Sequence, residues 1–203
     1  MEELIIVDRQ HDFSSPTGTL YVQGSDGAKV AIINYINKNA KNIAAAICTV
    51  DWHSPNHCSF KRNGGEWPAH CQQFSIGAGI DTDIYNALIL NNIPIKVFKK
   101  GNVDSTEEYG AFENIRVSHN SNEEGDIDVI VNNAALNNAL PLDCFTLTVC
   151  GTAGDYCVKE TIKNLINFKG VELNVQVMLD GIASIDDGTT IRNFVKENNL
   201  KTV

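Results

Sequence analysis

Short, predominantly apolar runs recur along this chain, and each ends in a polar or small residue. Leu4 to Val7 runs into Asp8, Ile43 to Val50 into Asp51, and Ile93 to Phe98 into Lys99 and Lys100. Phe145 to Val149 runs into Cys150 and Gly151, and Val175 to Leu179 into Asp180. Runs of this kind, predominantly apolar and rich in β-branched residues, are what strands buried on both faces require. Between them apolar residues recur at helical spacing. They are Val30, Ile33 and Ile36 after Gly27; Ile84, Leu88 and Leu90 after Asp81; and Val158, Ile162, Leu165 and Ile166 after Asp155. Strand alternating with helix predicts an α/β protein, a three-layer α/β/α arrangement around a mainly parallel central sheet. Ser118 to Leu140 follows neither period for long; Asn-rich and acidic, it is expected to be a helix and loop at the periphery. With 203 residues, 43% of them hydrophobic, and with no linker or internal repeat, residues 1–203 are expected to form a single domain.

Charge and composition narrow the function. The formal net charge of -9 is spread along the chain, with no Lys/Arg stripe and no interleaving of aromatic and basic residues. Nucleic acid and anionic membrane are therefore not expected as partners. No apolar run approaches the length of a bilayer span, and Met1-Glu2-Glu3 lacks the basic start of a secretory signal, so a soluble cytoplasmic protein is expected. Self-association into a homo-oligomer is left open. A domain of this size needs no disulfide staples, and the six cysteines are expected to remain thiols. Cys48, Cys58, Cys71, Cys144 and Cys150 read as small buried or half-buried hydrophobes.

Ligands of a parallel α/β sheet sit outside the carboxyl ends of its strands. Asp8, Asp51, Lys100 and the segment Cys150 to Cys157 all fall at such ends. In Asp51-Trp52-His53, a strand persisting to His53 would put both polar side chains on one face, about 6 to 7 Å apart. That spacing suits one metal ion, although an Asp–His hydrogen bond at a loop start is the more ordinary outcome for the pattern alone. Trp67-Pro68-Ala69-His70-Cys71 adds a further imidazole from a loop rich in Gly and Pro. Oxygen and nitrogen ligands with water completing the shell suit zinc, manganese or ferrous iron. Gly151 to Cys157 follows a strand and precedes an apolar helix. A cysteine at such an elbow is either a buried structural thiol or a nucleophile given thiolate character by the helix start, whose N–H groups can hold an oxyanion. A phosphate cradle is the poorer fit, because the Gly-x-Gly-x-x-Gly and Gly-Lys-Ser/Thr patterns are missing.

Six segments occur in order: VDRQHDF (Val7 to Phe13), DWHSPNHCSF (Asp51 to Phe60), WPAHC (Trp67 to Cys71), FKKG (Phe98 to Gly101), EYGAF (Glu108 to Phe112) and CGTAGDYCVKET (Cys150 to Thr161). In combination they resemble the nicotinamidase and pyrazinamidase branch of the isochorismatase-like cysteine hydrolases, over most of the chain from Leu4 to about Phe168. The resemblance implies the isochorismatase-like hydrolase fold. It implies Asp8 as general base, Lys100 rather than Lys99 as its lysine, Cys157 as nucleophile, and the N–H groups of Ala153 and Cys157 as oxyanion donors. It further implies Asp51, His53 and His70 as ligands of one divalent metal ion, zinc ahead of manganese or iron, with His57 nearby. Phe13, Trp67, Tyr109 and Tyr156 would surround the substrate ring. Arg9, His11, Gly110 and Gly154 depart from the usual residues of the motifs, which puts pocket shape in question more than chemistry.

The implied reaction is hydrolysis of nicotinamide to nicotinate and ammonia through a cysteine thioester, in NAD salvage. The resemblance also implies a cis peptide before Ala153. A sibling amidase for another small amide, pyrazinamide-like or ureido, and a non-enzymatic metal-binding α/β domain are the alternatives.

Overall fold

The computed structural model describes residues 1–112, 146–167 and 173–203. The expected peripheral helix and loop from Ser118 to Leu140, together with Cys144 and Phe145, lie outside the described residues. Six strands form one sheet: β1 (Glu2–Val7), β2 (Ile43–Asp51), β3 (Ile95–Lys100), β4 (Thr146–Thr152), β5 (Asn174–Ala183) and β6 (Lys201–Thr202). Their order is β3-β2-β1-β4-β5-β6, and every pairing is parallel. Among the described residues the α-helices are the short α1 (His11–Ser14), α2 (Ser25–Asn39), α3 (Thr82–Leu90), α4 (Lys159–Ile166) and α5 (Thr189–Glu197).

Alternate residues of the central strand β1 enter different cores. Leu4 and Ile6 pack with Ile32 and Ile36 of α2 and Ile84 and Leu88 of α3. Ile5 and Val7 pack with Val158, Ile162 and Leu165 at α4 and Ile191 and Val195 of α5. The result is the expected α/β/α arrangement, and an uninterrupted apolar run is what a strand with a core on both faces needs. Each fully buried Leu or Ile contributes roughly 1.5–3 kcal/mol by leaving water.

Several local expectations are corrected. The buried stripe of α2 is Ala28, Ile32 and Ile36, while Val30 is 56% exposed; on α3 Leu90 is 81% exposed, and Ala87 shares the buried face with Ile84 and Leu88. β3 begins after Pro94, whose ring leaves no N–H for the ladder, and continues through both lysines. Asp180 does not end β5, which runs on to Ala183 past a register shift against β4 between Val149 and Gly151. Helix α5 and strand β6 have no counterpart in the apolar pattern, because α5 buries only Ile191 and Val195 and β6 is two exposed residues.

Candidate active site

The ends of four neighbouring strands lie side by side. Val7 pairs with Thr49 and Gly151, and Asp51 with Lys100, so the residues just beyond these pairs share one rim of the sheet, with strands about 4.8 Å apart. β1 does not continue past Val7. Asp8 takes a positive φ of 46°, its N–H donates to the Thr49 carbonyl at 3.1 Å, and the chain turns into α1. Arg9 is thereby buried away from the site, with one guanidinium nitrogen donating to Thr152 Oγ1 at 3.1 Å and the other to the Ser25 carbonyl at 3.0 Å. His11 is half-buried. Beyond β4 the Thr152–Ala153 peptide is cis, and Gly154–Val158 forms a wide turn in which the Val158 N–H reaches the Ala153 carbonyl at 3.0 Å. Cys157 sits inside that turn, one turn before α4, rather than at the helix start. Such single wide turns are frequent at functional sites.

Asp8, Asp51, Lys100 and Cys157 meet with exposures of 0, 4, 3 and 7%. Lys100 Nζ lies 2.8 Å from Asp8 Oδ2 and 3.6 Å from Cys157 Sγ, and it also pairs with Asp51 Oδ1. Thr49 Oγ1 donates to the other Asp8 oxygen at 2.7 Å. Lys99 points to the opposite face, its Nζ 4.5 Å from the centre of the Trp52 ring. One ammonium therefore serves two buried carboxylates. Burial pushes the Asp8 carboxyl above its usual range, with Lys100 pulling against it and Asp51 adding to the rise. Burial likewise drives the Cys157 thiol well above its usual range, and Lys100 offsets only part of this. Burial resists ionisation of Asp51 too, but Lys100, His53 and His70 outweigh it and hold that carboxyl low. Burial disfavours the charged Lys100, yet Asp51 and Asp8 keep it protonated.

Burial thus opposes the thiolate character that a helix start would lend Cys157, and at Asp8 it outweighs the pull of Lys100, with Asp51 adding to the rise. A neutral thiol beside a carboxyl of raised proton affinity is suited to proton transfer from sulfur to oxygen. The native state binds the Asp8 proton more tightly than the unfolded chain does, so stability is lost as pH rises through the raised native pKa, and ionised Asp8 is a cost at neutral pH. Asp8→Asn is therefore expected to melt at the parental temperature or about 2–4 °C higher, the shift that about 1 kcal/mol produces in a chain of this size. Its kcat should fall at least about 10³-fold with loss of the base. Calorimetry and an ammonia-release assay on one preparation check both halves; a lower melting temperature would refute the electrostatic account.

Asp51 divides its oxygens, giving Oδ1 to Lys100 and turning Oδ2 toward two imidazoles. Asp51 Oδ2 lies 3.5 Å from His53 Nε2 and 3.9 Å from His70 Nε2. One ligand atom from each of the three residues lies within 4.8 Å of the others, and all three residues are buried. The opposite ring nitrogens face carbonyls: His53 Nδ1 is 3.0 Å from Gly101 O, and His70 Nδ1 is 2.7 Å from Pro68 O. Those carbonyls favour protonated Nδ1 and leave the Nε2 lone pairs convergent. Separations of 3.5 and 3.9 Å are long for hydrogen bonds and suit atoms sharing a metal at about 2.1 Å. The donor set thus fits a divalent cation. His57 stacks on His53 with ring centres 4.0 Å apart, but its own nitrogens meet the Thr106 carbonyl and the Ser59 N–H. Gly101 has φ +65°, and a Cβ there would run into the His53 ring, which is why a glycine closes FKKG.

Phe13, Trp67, Tyr109 and Tyr156 line the same pocket as Cys157, Ala153, Asp51 and His70. Trp67 meets Tyr156 edge-on at 5.2 Å, and its Nε1 donates to the Tyr109 hydroxyl at 3.1 Å. Phe13 packs against His70 at 5.4 Å. The walls suit a flat aromatic ring. Leu20, Val22, Glu107 and Ile185 also line the pocket, and no motif or periodicity marked them; Ser59, inside DWHSPNHCSF, lines it too without having been given a role. Phe60, which ends that segment, was likewise given no role; it is fully buried, edge-on to both His53 and His70. Two motif departures find their reason in packing. A Cβ at Gly154 would strike Ser184 and Ile182, and one at Gly110 would strike Asn164 and Glu160, so larger neighbours occupy the space.

No protein-family model matches the chain. It is 26% identical over 221 residues to the nicotinamidase of Saccharomyces cerevisiae, covering 97% of this chain and 94% of that one. Among solved structures it is similar to a pyrazinamidase of Pyrococcus horikoshii in complex with zinc, with 27% identity, a TM-score of 0.74, and 100% and 98% of the two chains covered. It is also similar to a protein of L. infantum in complex with nicotinate, with 28% identity, a TM-score of 0.73, and coverage of 100% and 92%. The parallel α/β/α fold is that of the isochorismatase-like hydrolases. Within that class the proteins it is similar to are nicotinamidases and pyrazinamidases.

Proposed function

We infer that the protein is an amidohydrolase that converts nicotinamide and water to nicotinate and ammonia, a step of NAD salvage. The observation that carries the reading is the meeting of Lys100 with Asp8 at 2.8 Å and with Cys157 at 3.6 Å, in a pocket walled by aromatic rings. Cys157 passes its proton to Asp8 as sulfur attacks the amide carbon. The oxyanion is met by the N–H groups of Ala153 and Cys157, and Asp8 returns the proton to the departing ammonia. Asp8 then takes a proton from water, whose oxygen attacks the thioester; nicotinate leaves and the thiol is restored. Lys100 holds positive charge beside both groups throughout.

Asp51, His53 and His70 would hold one divalent cation, which we take to be zinc, with manganese or iron as the other candidates. Bound there, the ion supplies a Lewis-acidic anchor for the pyridine nitrogen, so that the ring is oriented rather than water activated. Phe13, Trp67, Tyr109 and Tyr156 sandwich and edge the ring. We further take residues 1–203 as one such domain, acting in the cytoplasm; among the described residues no helix is long and apolar enough to cross a membrane.

Ammonia release from nicotinamide, compared with pyrazinamide and ureido substrates, tests the reading. Absence of nicotinamide turnover by metal-loaded protein would overturn it. His70→Ala is expected to lower metal content and raise KM by at least about 10–100-fold while the fold persists. It is a cleaner variant than Asp51→Ala, because Asp51 also pairs with Lys100. If chelated, metal-free enzyme keeps the parental kcat/KM for nicotinamide, the anchoring role is wrong.

A further inference from the structure

The first motif contributes more than its leading aspartate. Gln10 is fully buried and its side chain pairs with the backbone of Asp51. Its Oε1 accepts the Asp51 N–H at 2.8 Å, and its Nε2 donates to the Asp51 carbonyl at 2.8 Å and to the Ala78 carbonyl at 3.0 Å. Since β1 has turned away at Asp8, the amide of Gln10 takes the place of a strand beside the last residue of β2. An amide offers one acceptor and two donors in one plane, which is what an exposed strand edge requires.

Asp12 works on the other half of the metal-binding set. Its Oδ2 accepts the Cys71 N–H at 2.7 Å and its Oδ1 the Thr19 N–H at 3.1 Å. Cys71 directly follows His70 and holds a positive φ of 43°, a conformation unfavourable for a residue with a side chain. The Cys71 carbonyl in turn accepts the His53 N–H at 3.2 Å. Asp12 therefore grips Cys71, the residue whose two flanking peptides join His70 to the His53 segment. Gly77 packs directly on this carboxylate, and a Cβ at that position would collide with it.

We propose that Gln10 and Asp12 are positioning residues for the metal ligands, Gln10 setting Asp51 and Asp12 setting Cys71, the residue that joins His70 to the His53 segment. The proposal rests on reading Asp51, His53 and His70 as a metal site. The VDRQHDF segment then carries three separate tasks on alternate residues: Asp8 the proton, Gln10 the carboxylate ligand, Asp12 the imidazole loop. Partners that orient metal ligands typically carry 10–100-fold in affinity.

The test is zinc affinity by competition with a chromogenic chelator, measured on the full chain as parent, Gln10→Met, Asp12→Asn, Gly77→Ala and His70→Ala. Metal-free melting temperatures are recorded alongside. Zinc binding should weaken about 10–100-fold in the first three variants and be lost in His70→Ala. Excess zinc should restore nicotinamide turnover in the first three only. A purely structural role would lower the melting temperature and leave the zinc affinity of the folded protein unchanged. Gly77→Ala keeps every hydrogen-bonding side chain and carries the test of Asp12 if Asp12→Asn does not fold. If the parent binds zinc and the folded variants bind it equally well, the positioning role is refuted. If the parent binds no zinc, the metal site itself falls, and the inference with it.

Discussion

Cys157→Ala is expected to fold, to bind nicotinamide with parental affinity, and to release ammonia at least about 10⁴-fold more slowly, the scale on which removal of a covalent nucleophile acts. The side chain lies inside a wide turn, packed beneath the pocket, and its loss removes one sulfur from a site in which Lys100, Asp8 and Asp51 stay paired with one another. Binding survives because the ring is held by the aromatic walls and the Asp51 side of the pocket. Alkylation gives an independent reading. Cys48, Cys71 and Cys150 are also buried, and unlike Cys157 none of them lines the pocket, so none of them competes as a nucleophile. Cys58 is half-buried and is the one other described thiol open to reagent, without contact to the catalytic cluster. Iodoacetamide should therefore abolish activity only through Cys157, with protection by nicotinamide, as read by mass mapping against residual activity. Full turnover by Cys157→Ala would end the covalent mechanism.

Lys100→Met should be the most disruptive exchange at the rim. It leaves two buried carboxylates facing each other without their cation, and breaking a buried pair in this way costs about 3–5 kcal/mol. A melting temperature lower by on the order of 10 °C follows for a chain of this length. The kcat should fall about 10³-fold. The acid limb of the activity profile should move to still higher pH, because Asp8, already raised by burial, loses the one charge that pulls it down. With Asp8 as the proposed base, activity should require its ionised form and disappear as pH falls through its pKa, so the limb should track that group, or the Asp8–Cys157 pair as a unit. Lys100→Arg should recover only part of the rate, since a planar fork cannot sit where a compact ammonium reaches two carboxylates and a sulfur. Lys99→Met is the control: it removes a cation–π contact with Trp52 worth about 0.5–1 kcal/mol and should leave kcat unchanged. An essential Lys99 with a dispensable Lys100 would overturn the assignment.

Local pattern was enough to reveal the layers and most strands of this protein. An apolar run such as Leu4 to Val7 has no polar face to offer water, so it announces a strand covered on both sides whatever its neighbours are. The motifs that carry Asp8, Asp51, His53, His70, Lys100 and Cys157 are likewise contiguous and can be read one at a time. Their meeting cannot. It depends on the order β3-β2-β1-β4, which sets residues far apart in the chain on adjacent strand ends, and no local pattern encodes strand order. The same holds for helix faces. Val30 and Leu90 fit a helical period, yet which stripe is buried is chosen by the sheet the helix rests on. Nor does sequence show that Asp8 ends β1 with a positive φ, so that Gln10 and Asp12 turn back toward Asp51 and Cys71. Protonation was decided last. Lys100 next to a carboxylate suggests a lowered pKa, but its single charge is divided between Asp8 and Asp51 in a buried site, and desolvation, which depends on everything packed around the group, prevails at Asp8 and Cys157.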